Sequence, residues 1–347
     1  MATEPRSADP SLAPATPVEA LREIGFWLER GRADTYRVKA YRKAADALAS
    51  LPAEDFDALQ QADSWSSIPG LGPKTVAVIR ETLQGKVPGT LAWLRAEGAA
   101  PLATSELRSR VRGDLHMHTI WSDGGSPLWE MAATAERLGH DYIAITDHSP
   151  RLTIANGLDA TRLAAQWEEI AEVQQQVGLR VLRGIEVDIL DDGSLDQSEQ
   201  MLAGLDVVVA SVHSKLRGER DFMTNRMVAA VANPHTTVLG HCTGRRVEGG
   251  KPRPQSDFDA EVVFEACRQF GVAVEINSRP ERCDPPDDLL ALASEIGCLF
   301  SIDTDSHAPG QLDFVELGCA RAEAAGISAE RIITSWPLDE LLDFAAR

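Results

Sequence analysis

Apolar residues follow two different rhythms along the chain. From Val18 to about Trp93 they recur at helical spacing. Leu21, Ile24, Phe26, Trp27 and Leu28 predict a first amphipathic helix. Val38, Tyr41, Ala44, Ala45 and Leu48 predict a second, which stops near Pro52. A third follows Ile68-Pro69-Gly70-Leu71-Gly72-Pro73-Lys74, carried by Val76, Ile79 and Leu83. Beyond Gly113 short continuous apolar runs take over: Asp114–His118, Tyr142–Thr146, Val181–Val187, Asp206–Val212, Thr237–His241, Val272–Ile276 and Cys298–Ile302. Helical stretches such as Leu128–Leu138, Arg162–Val177, Asp259–Phe270 and Asp287–Ile296 separate most of them. Strands of this kind alternating with helices predict a parallel sheet covered by helices. Seven such units predict an α/β fold, a seven-stranded β/α barrel of the TIM type. An open sheet stays as the alternative, because periodicity does not reveal strand order.

The punctuation divides the chain further. Residues 1–16, rich in Ala, Pro and Ser, read as a disordered tail. Residues 17–96 read as a small all-α domain. Residues 97–112, with Pro101, Arg108, Arg110 and Arg112, read as a linker, and residues 113–347 as the barrel. A length of 347 residues fits two domains. The composition, 44% apolar and 25% charged, is that of a globular protein. The net charge of −19 would repel nucleic acid, so DNA binding requires a local basic patch or metal ions. No run of 18 apolar residues predicts a spanning helix, and Met1 to Pro17 lacks the apolar core of a secretory signal. The five cysteines, Cys242, Cys267, Cys283, Cys298 and Cys319, form no disulfide framework and no C-x-x-C pair. A reducing cytoplasm is the expected location.

The polar residues gather at strand ends. His116 and His118 end the first strand, with Asp123 just after. His148 ends the second, Glu186 the third, His213 the fourth and His241 the fifth; Asp305 and His307 end the last. Six of the eight histidines occupy such positions; only His140 and His235 do not. In a parallel barrel the strand C-termini share one face, so these groups converge. Two residues two apart, such as His116 and His118 or Asp305 and His307, point to the same side of their strand. Imidazole and carboxylate donors without a thiolate suit Zn, Mn or Fe. Nine ligands exceed what one ion takes and suit two or three divalent ions sharing a bridging carboxylate. Such a cluster lowers the pKa of bound water and neutralises phosphate oxygens, so a phosphoester is the natural substrate. Asp114 and Asp147 precede ligand histidines and read either as carboxylates that orient an imidazole or as strand-end turn carboxylates. Arg245, after a Thr-Gly turn, and Arg279, after Asn277, read as phosphate clamps or as plain surface residues.

The motifs Gly113-Asp-Leu-His-Met-His-Thr-Ile-Trp-Ser-Asp-Gly124, Ile145-Thr-Asp-His148 and Asp303-Thr-Asp-Ser-His307 resemble the signature blocks of the polymerase and histidinol phosphatase (PHP) superfamily. Leu239-Gly-His-Cys-Thr-Gly-Arg245 and Glu275-Ile-Asn277 resemble the type found at the C-terminus of bacterial family-X DNA polymerases. The resemblance implies a distorted seven-stranded β/α barrel with a trinuclear metal site. It implies that His116, His118, Glu186 and Asp305 hold one ion. Glu186 then bridges to a second held by His213 and His241, and Asp123, His148 and His307 hold the third. Cys242 stands where this branch usually has proline and reads as a small buried side chain.

Pro69-Gly-Leu-Gly72 between helices reads as a helix-hairpin-helix turn. Gly70 and Gly72 let a DNA phosphate approach the backbone, and the next helix points its N–H groups at that anion. Arg32, Arg37, Lys39, Arg42 and Lys43 crowd a stretch whose only acid is Asp34. Residues 17–96 resemble the small N-terminal domain of family-X polymerases, through Tyr36-Arg-Val-Lys-Ala-Tyr-Arg-Lys-Ala-Ala45 and Ile68–Ile79. That likeness implies that Arg37, Tyr41 and Lys74 grip a 5′-phosphate. Val78 stands at the place of the Schiff-base lysine of some members, so no lyase activity is expected. The alternative is a helical bundle mediating protein contacts. Residues 97–112 are too few for a polymerase palm, so no nucleotidyl transfer is expected. The leading expectation is a metal-dependent phosphoesterase acting on DNA in repair: a 3′–5′ exonuclease, a 3′-phosphatase or an abasic-site endonuclease. The alternatives are a small-molecule phosphatase of histidinol-phosphatase type and a non-catalytic DNA-binding protein with structural metals.

Overall fold

The computed structural model describes residues 12–346, so most of the stretch expected to be a tail lies outside the described residues. The chain divides into two units at the Pro101–Leu102 junction. The first is all helical: α1 (Pro17–Arg30), α2 (Thr35–Ala49), α3 (Ala53–Ala62), α4 (Pro73–Leu83) and α5 (Gly89–Glu97). Thr16 and Asp34 cap the first two helices, accepting from the N–H groups of Glu19 and Tyr36. Leu21, Ile24, Leu28, Ala44, Leu48, Val76, Val78, Ile79 and Leu91 form the core. The periodicity therefore located three of the five helices. It missed α3, which buries no residue fully, and α5, which buries one narrow stripe.

Two expected DNA contacts belong to this core instead. Tyr41 is 3% exposed and packs among the apolar residues. Arg42 turns inward over Gly25, where a Cβ would lie only 2.9 Å from its Nε, and makes a two-pronged ion pair with Glu29 at 2.8 and 2.7 Å. Neither side chain faces outward. A buried charge left without its partner is strongly destabilising. Glu29→Ala is therefore expected to lower stability by about 3 kcal/mol, read by urea unfolding. A change under about 0.5 kcal/mol would show the pair to be incidental.

The second unit holds β1 (Gly113–Asp114), β2 (Tyr142–Ile145), β3 (Arg180–Asp188), β4 (Val207–Ser211), β5 (Val238–Leu239), β6 (Ala273–Asn277) and β7 (Phe300–Asp303). Its helices are α6 (Leu128–Arg137), α7 (Ala160–Gln174), α8 (Glu199–Leu202), α9 (Arg220–Val231), α10 (Ala260–Phe270), α11 (Asp287–Ile296), α12 (Val315–Ala324) and α13 (Leu338–Ala345). The strands pair in parallel in their sequence order. The ring closes through a bridge from Met117 to Ser306 and the His118 N–H donating to the Ser306 carbonyl at 2.8 Å. Closure excludes the doubly wound alternative.

Closure relies on carboxylates as well as backbone. Asp303 accepts from the Leu115 N–H at 2.8 Å, and Asp114 accepts from the Thr304 N–H at 3.2 Å and hydroxyl at 2.5 Å. Each strand end thus supplies the acceptor that a ladder carbonyl would have supplied. Asp114 also takes the His116 N–H at 3.1 Å, which turns the chain aside and leaves β1 two residues long. Of its two readings, Asp114 is the strand-end turn carboxylate.

Strand parity sorts the core. Tyr142, Ala144, Leu182, Val207, Val209, Val238 and Ala273 cluster with Ile333, Leu341 and Phe344, which plug one end of the barrel. Their alternates, such as Ile143, Ile145, Ile185, Val208, Leu239 and Ile276, meet the surrounding helices. Residues 102–112, expected to be linker, are folded onto the barrel. The Leu102 N–H donates to Glu316, the Glu106 N–H to Glu323, and Val111 is buried. No helix of the described residues is long and apolar enough to cross a membrane.

His140, before β2, is buried with neither ring nitrogen hydrogen-bonded, and burial together with the Arg108 charge holds its pKa down at about 3. The unfolded chain binds this proton near pH 6.5 and the folded chain does not, so the ring's contribution is intact above pH 6.5 and is lost as pH falls toward 3. His140→Leu is expected to flatten the fall in unfolding free energy between pH 6.5 and 5 by about 1.4 kcal/mol per pH unit. An unchanged slope in urea titrations at the two pH values would contradict this.

Candidate metal centre

The inner-facing parity that fills the barrel with apolar residues continues to its open end with polar ones. On β3, Leu182 is followed two positions on by Gly184 and then by Glu186. Beyond β4, Val209 is followed by Ser211 and His213; beyond β2, Ala144 is followed by Thr146 and His148. The nine side chains expected from strand ends gather here as four overlapping groups. These are His116, His118 and Asp305; His116, Glu186 and His241; His148, Glu186 and His213; and His118, Asp123, His148 and His307. The groups overlap through Glu186: its Oε1 faces His213 and His241, and its Oε2 faces His116, His118 and His148.

Glu186 lies at the middle. Its carboxylate is 2.8 Å from His148 Nδ1 and His241 Nε2, 3.2 Å from His213 Nε2, 3.4 Å from His116 Nε2 and 3.6 Å from His118 Nε2. Burial alone would raise the Glu186 pKa, but His213, His116 and His148 hold it well below the usual carboxylate range. Burial opposes the charge on His116 as well, yet Glu275 and Glu186 raise its pKa well above that of free imidazole. His118 goes the other way, pushed well down by burial and by His307 and His148.

The donor set fits metal ions. His116 Nε2, both nitrogens of His118, His148 Nδ1, His213 Nε2, His241 Nδ1 and one Glu186 oxygen are buried without a hydrogen-bond partner. Buried polar atoms are rarely left unsatisfied, and a cluster of such lone-pair donors is what cations would satisfy. The opposite ring nitrogens are held: His116 Nδ1 by Glu275 at 2.5 Å and His213 Nδ1 by Asp188. That arrangement fixes the tautomer that presents Nε2 to an ion. Glu275 also accepts from the His241 N–H. The sequence reading assigned no role to Asp188 or Glu275. Their signal was a carboxylate on the inner parity at a strand end, the same one that picked out Glu186.

Two more expected catalytic residues are reassigned. Asp147 accepts from the Thr119 N–H and hydroxyl at 2.8 and 2.7 Å, from Ser122 and from Gln166 Nε2 at 2.6 Å. It shapes the loop that carries Asp123 and touches no ligand ring. Arg245 donates to the carbonyls of Arg282 and Cys283, so it braces the loop after β6. The cation at the ligands is Arg282, unassigned in the sequence, 2.8 Å from Asp305 Oδ2; Arg279 stands 3.6 Å from Oδ1. Although burial opposes it, these two arginines hold the Asp305 pKa well below the usual range. Cys242 is a small buried side chain, as expected, with its thiol pKa pushed up by burial and Asp284.

In the helical unit Arg37, Lys39, Lys43 and Lys74 are exposed. Tyr36 is 84% exposed, and on α2 it shares a face with Lys39 and Lys43. Gly70, at φ +92°, and Gly72 have no atom within 4 Å of a Cβ position, so the surface above the hairpin is open. Val78 is buried in the core.

Comparison with known proteins gives two family matches: a helix-hairpin-helix domain over residues 15–87 and a PHP domain over residues 114–279. The chain is 36% identical over 239 residues to the DNA polymerase/3′-5′ exonuclease PolX of Bacillus subtilis, covering 69% of this chain and 41% of that protein's length. It is 30% identical over 241 residues to the probable phosphatase YcdX of Escherichia coli, covering 67% of this chain and 92% of the relative. The solved histidinol phosphate phosphatase of Lactococcus lactis, complexed with zinc, L-histidinol and phosphate, is 19% identical with a TM-score of 0.48 and covers 63% of this chain and 95% of its own.

Removing the charge that orients His116 is expected to weaken metal binding. Glu275→Gln should reduce Mn²⁺ affinity about tenfold or more, read by calorimetric titration of the metal-free protein. An affinity equal to that of the parent would remove Glu275 from the site.

Proposed function

The chain belongs to the PHP-domain family, and on that premise we propose that it is a metal-dependent phosphoesterase acting on DNA: a 3′–5′ exonuclease, 3′-phosphatase or abasic-site endonuclease working in repair. The observation that carries the proposal is the ring of orphaned imidazole nitrogens around the Glu186 carboxylate. Two or three divalent ions held by the nine ligands would supply Lewis acidity toward a phosphoester and activate water. The chain's own residues do the rest. Glu186 keeps its negative charge among the histidines. Glu275 and Asp188 fix the ring tautomers, and Asp147 holds the loop that presents Asp123.

The exposed Arg37, Lys39 and Lys74, joined by Lys43 and Tyr36, support DNA as the substrate. A solvent-facing aromatic among cations offers a base a stacking surface and the backbone a set of counter-charges. The open glycine hairpin leads into α4, whose N-terminus suits a phosphate. Phosphate contacts of this kind bind without regard to sequence and weaken with salt. Polymerisation is not part of the proposal. The segment between α5 and β1 spans residues 98–112, and much of it packs on the barrel. The small-molecule alternative draws support from the relative that the chain spans almost fully, a probable phosphatase.

The test compares substrates. With Mn²⁺, the protein should shorten, dephosphorylate or nick end-labelled or abasic DNA. Tyr36→Ala combined with Lys74→Glu should raise KM for DNA about tenfold and leave turnover of p-nitrophenyl phosphate unchanged. Equal DNA kinetics in parent and variant, with faster turnover of histidinol phosphate, would favour the metabolic phosphatase.

A further inference from the structure

Between β5 and α10, residues 245–256 carry Arg245, Arg246, Lys251 and Arg253 against a single acid, Glu248, in a protein of net charge −19. The segment is a short antiparallel ribbon. The Arg246 N–H donates to the Arg253 carbonyl at 2.8 Å, and the Arg253 N–H donates back to the Arg246 carbonyl at 2.9 Å. Gly249, at φ +72°, and Gly250, at φ +136°, turn the tip between them. The ribbon is stitched to the ligand face of the barrel. The Val247 N–H donates to the Glu281 carbonyl at 2.8 Å, and Arg245 donates to the Arg282 and Cys283 carbonyls. From that second loop Arg282 reaches the ligand Asp305.

Two residues that exchange both backbone hydrogen bonds across a ribbon present their side chains on the same face. Here both are arginines, and like charges directly opposite are destabilising. Arg253 folds back, its Nε donating to the Gly244 carbonyl at 2.6 Å. Burial, then the charges of Arg282 and Arg246, pull the Arg253 pKa down, and Asp284 is the acid that opposes them. Glu281, against the tip at Gly249, faces Arg279 at 3.7 Å. The Arg246 guanidinium and the Lys251 ammonium are exposed and make no hydrogen bond or ion pair among the described residues. The ribbon thus assembles cations that repel one another beside the metal centre, and leaves two of them free.

We propose that this ribbon holds the backbone of the DNA strand whose end lies in the metal centre, with Arg246 and Lys251 on phosphates flanking the one that reacts. The proposal rests on the phosphoesterase reading and adds to it a DNA contact on the barrel unit itself. Crowded cations are relieved by a chain of regularly spaced anions, and contacts of this kind hold phosphates without reading bases. A small phosphoester, whose one phosphoryl group sits at the ions, leaves the ribbon unused.

The experiment uses the full chain with Mn²⁺. It compares single-stranded DNA with the p-nitrophenyl ester of thymidine 5′-monophosphate, which has no flanking phosphates. In the double variant Arg246→Gln with Lys251→Gln, KM for DNA should rise about tenfold. The slope of log KM against log salt concentration should fall by about 1.4, since each phosphate contact on a single strand contributes about 0.7. Arg246→Lys with Lys251→Arg, which keeps both charges, should retain the slope of the parent. A KM for DNA and a salt slope equal to those of the parent in the glutamine variant would overturn the proposal and leave the phosphoesterase reading standing. An equal rise in KM for the thymidine ester would also overturn it, by showing that the two side chains act at the reacting phosphate or through the fold. A parent protein that turns over the ester and no DNA would remove the DNA reading, and the proposal with it.

Discussion

One carboxylate among five imidazoles governs this structure. Glu186 lies within 3.6 Å of ring nitrogens from His116, His118, His148, His213 and His241. Glu186, His116, His118 and His241 are buried, and most of those nitrogens have no other partner. Leaving so many buried polar atoms unmatched costs about 1–3 kcal/mol for each. An assembly of this kind is intelligible as a receptacle for cations, which convert the unmatched lone pairs into ligand bonds. Around it stands a layer that constrains the rings: Glu275 on His116, Asp188 on His213, Arg282 on Asp305 and Asp147 on the loop of Asp123.

The barrel serves the same constraint. Parallel strands in sequence order deliver their C-terminal ends to one face, and on β2, β3 and β4 alternation carries the inner stripe from apolar filling to His148, Glu186 and His213. At the seam between β1 and β7 regular pairing gives way. Asp114 and Asp303 replace ladder carbonyls there, and the chain is free to turn His116 and His118 toward Glu186. The distortion of the barrel and the placement of its first two ligands are therefore one event.

This division explains what could be read in the sequence. Asp123 lies in the loop that follows the first apolar run; the other eight of the nine expected ligands were legible because they stand at or just beyond the end of such a run. Sharing that position, Asp114 and Asp147 were open to two readings, and only their hydrogen bonds separate a carboxylate that closes a seam or braces a loop from one that serves a reaction. Tyr41 and Arg42 were hidden by composition. In a stretch crowded with cations, period alone does not tell that Arg42 folds inward onto Glu29 while Tyr36 stays outside. Arg282 depends on a contact between segments that are remote along the chain, of which neither spacing nor charge gives a sign.

The central claim is that divalent ions sit around Glu186. Anomalous diffraction at the manganese edge, from crystals of the Mn²⁺-loaded protein, tests it directly. The account predicts two or three peaks enclosed by the nine ligands, with Glu186 shared between at least two of them. Density free of such peaks, with the histidines bound to ordered water or to one another, would contradict it.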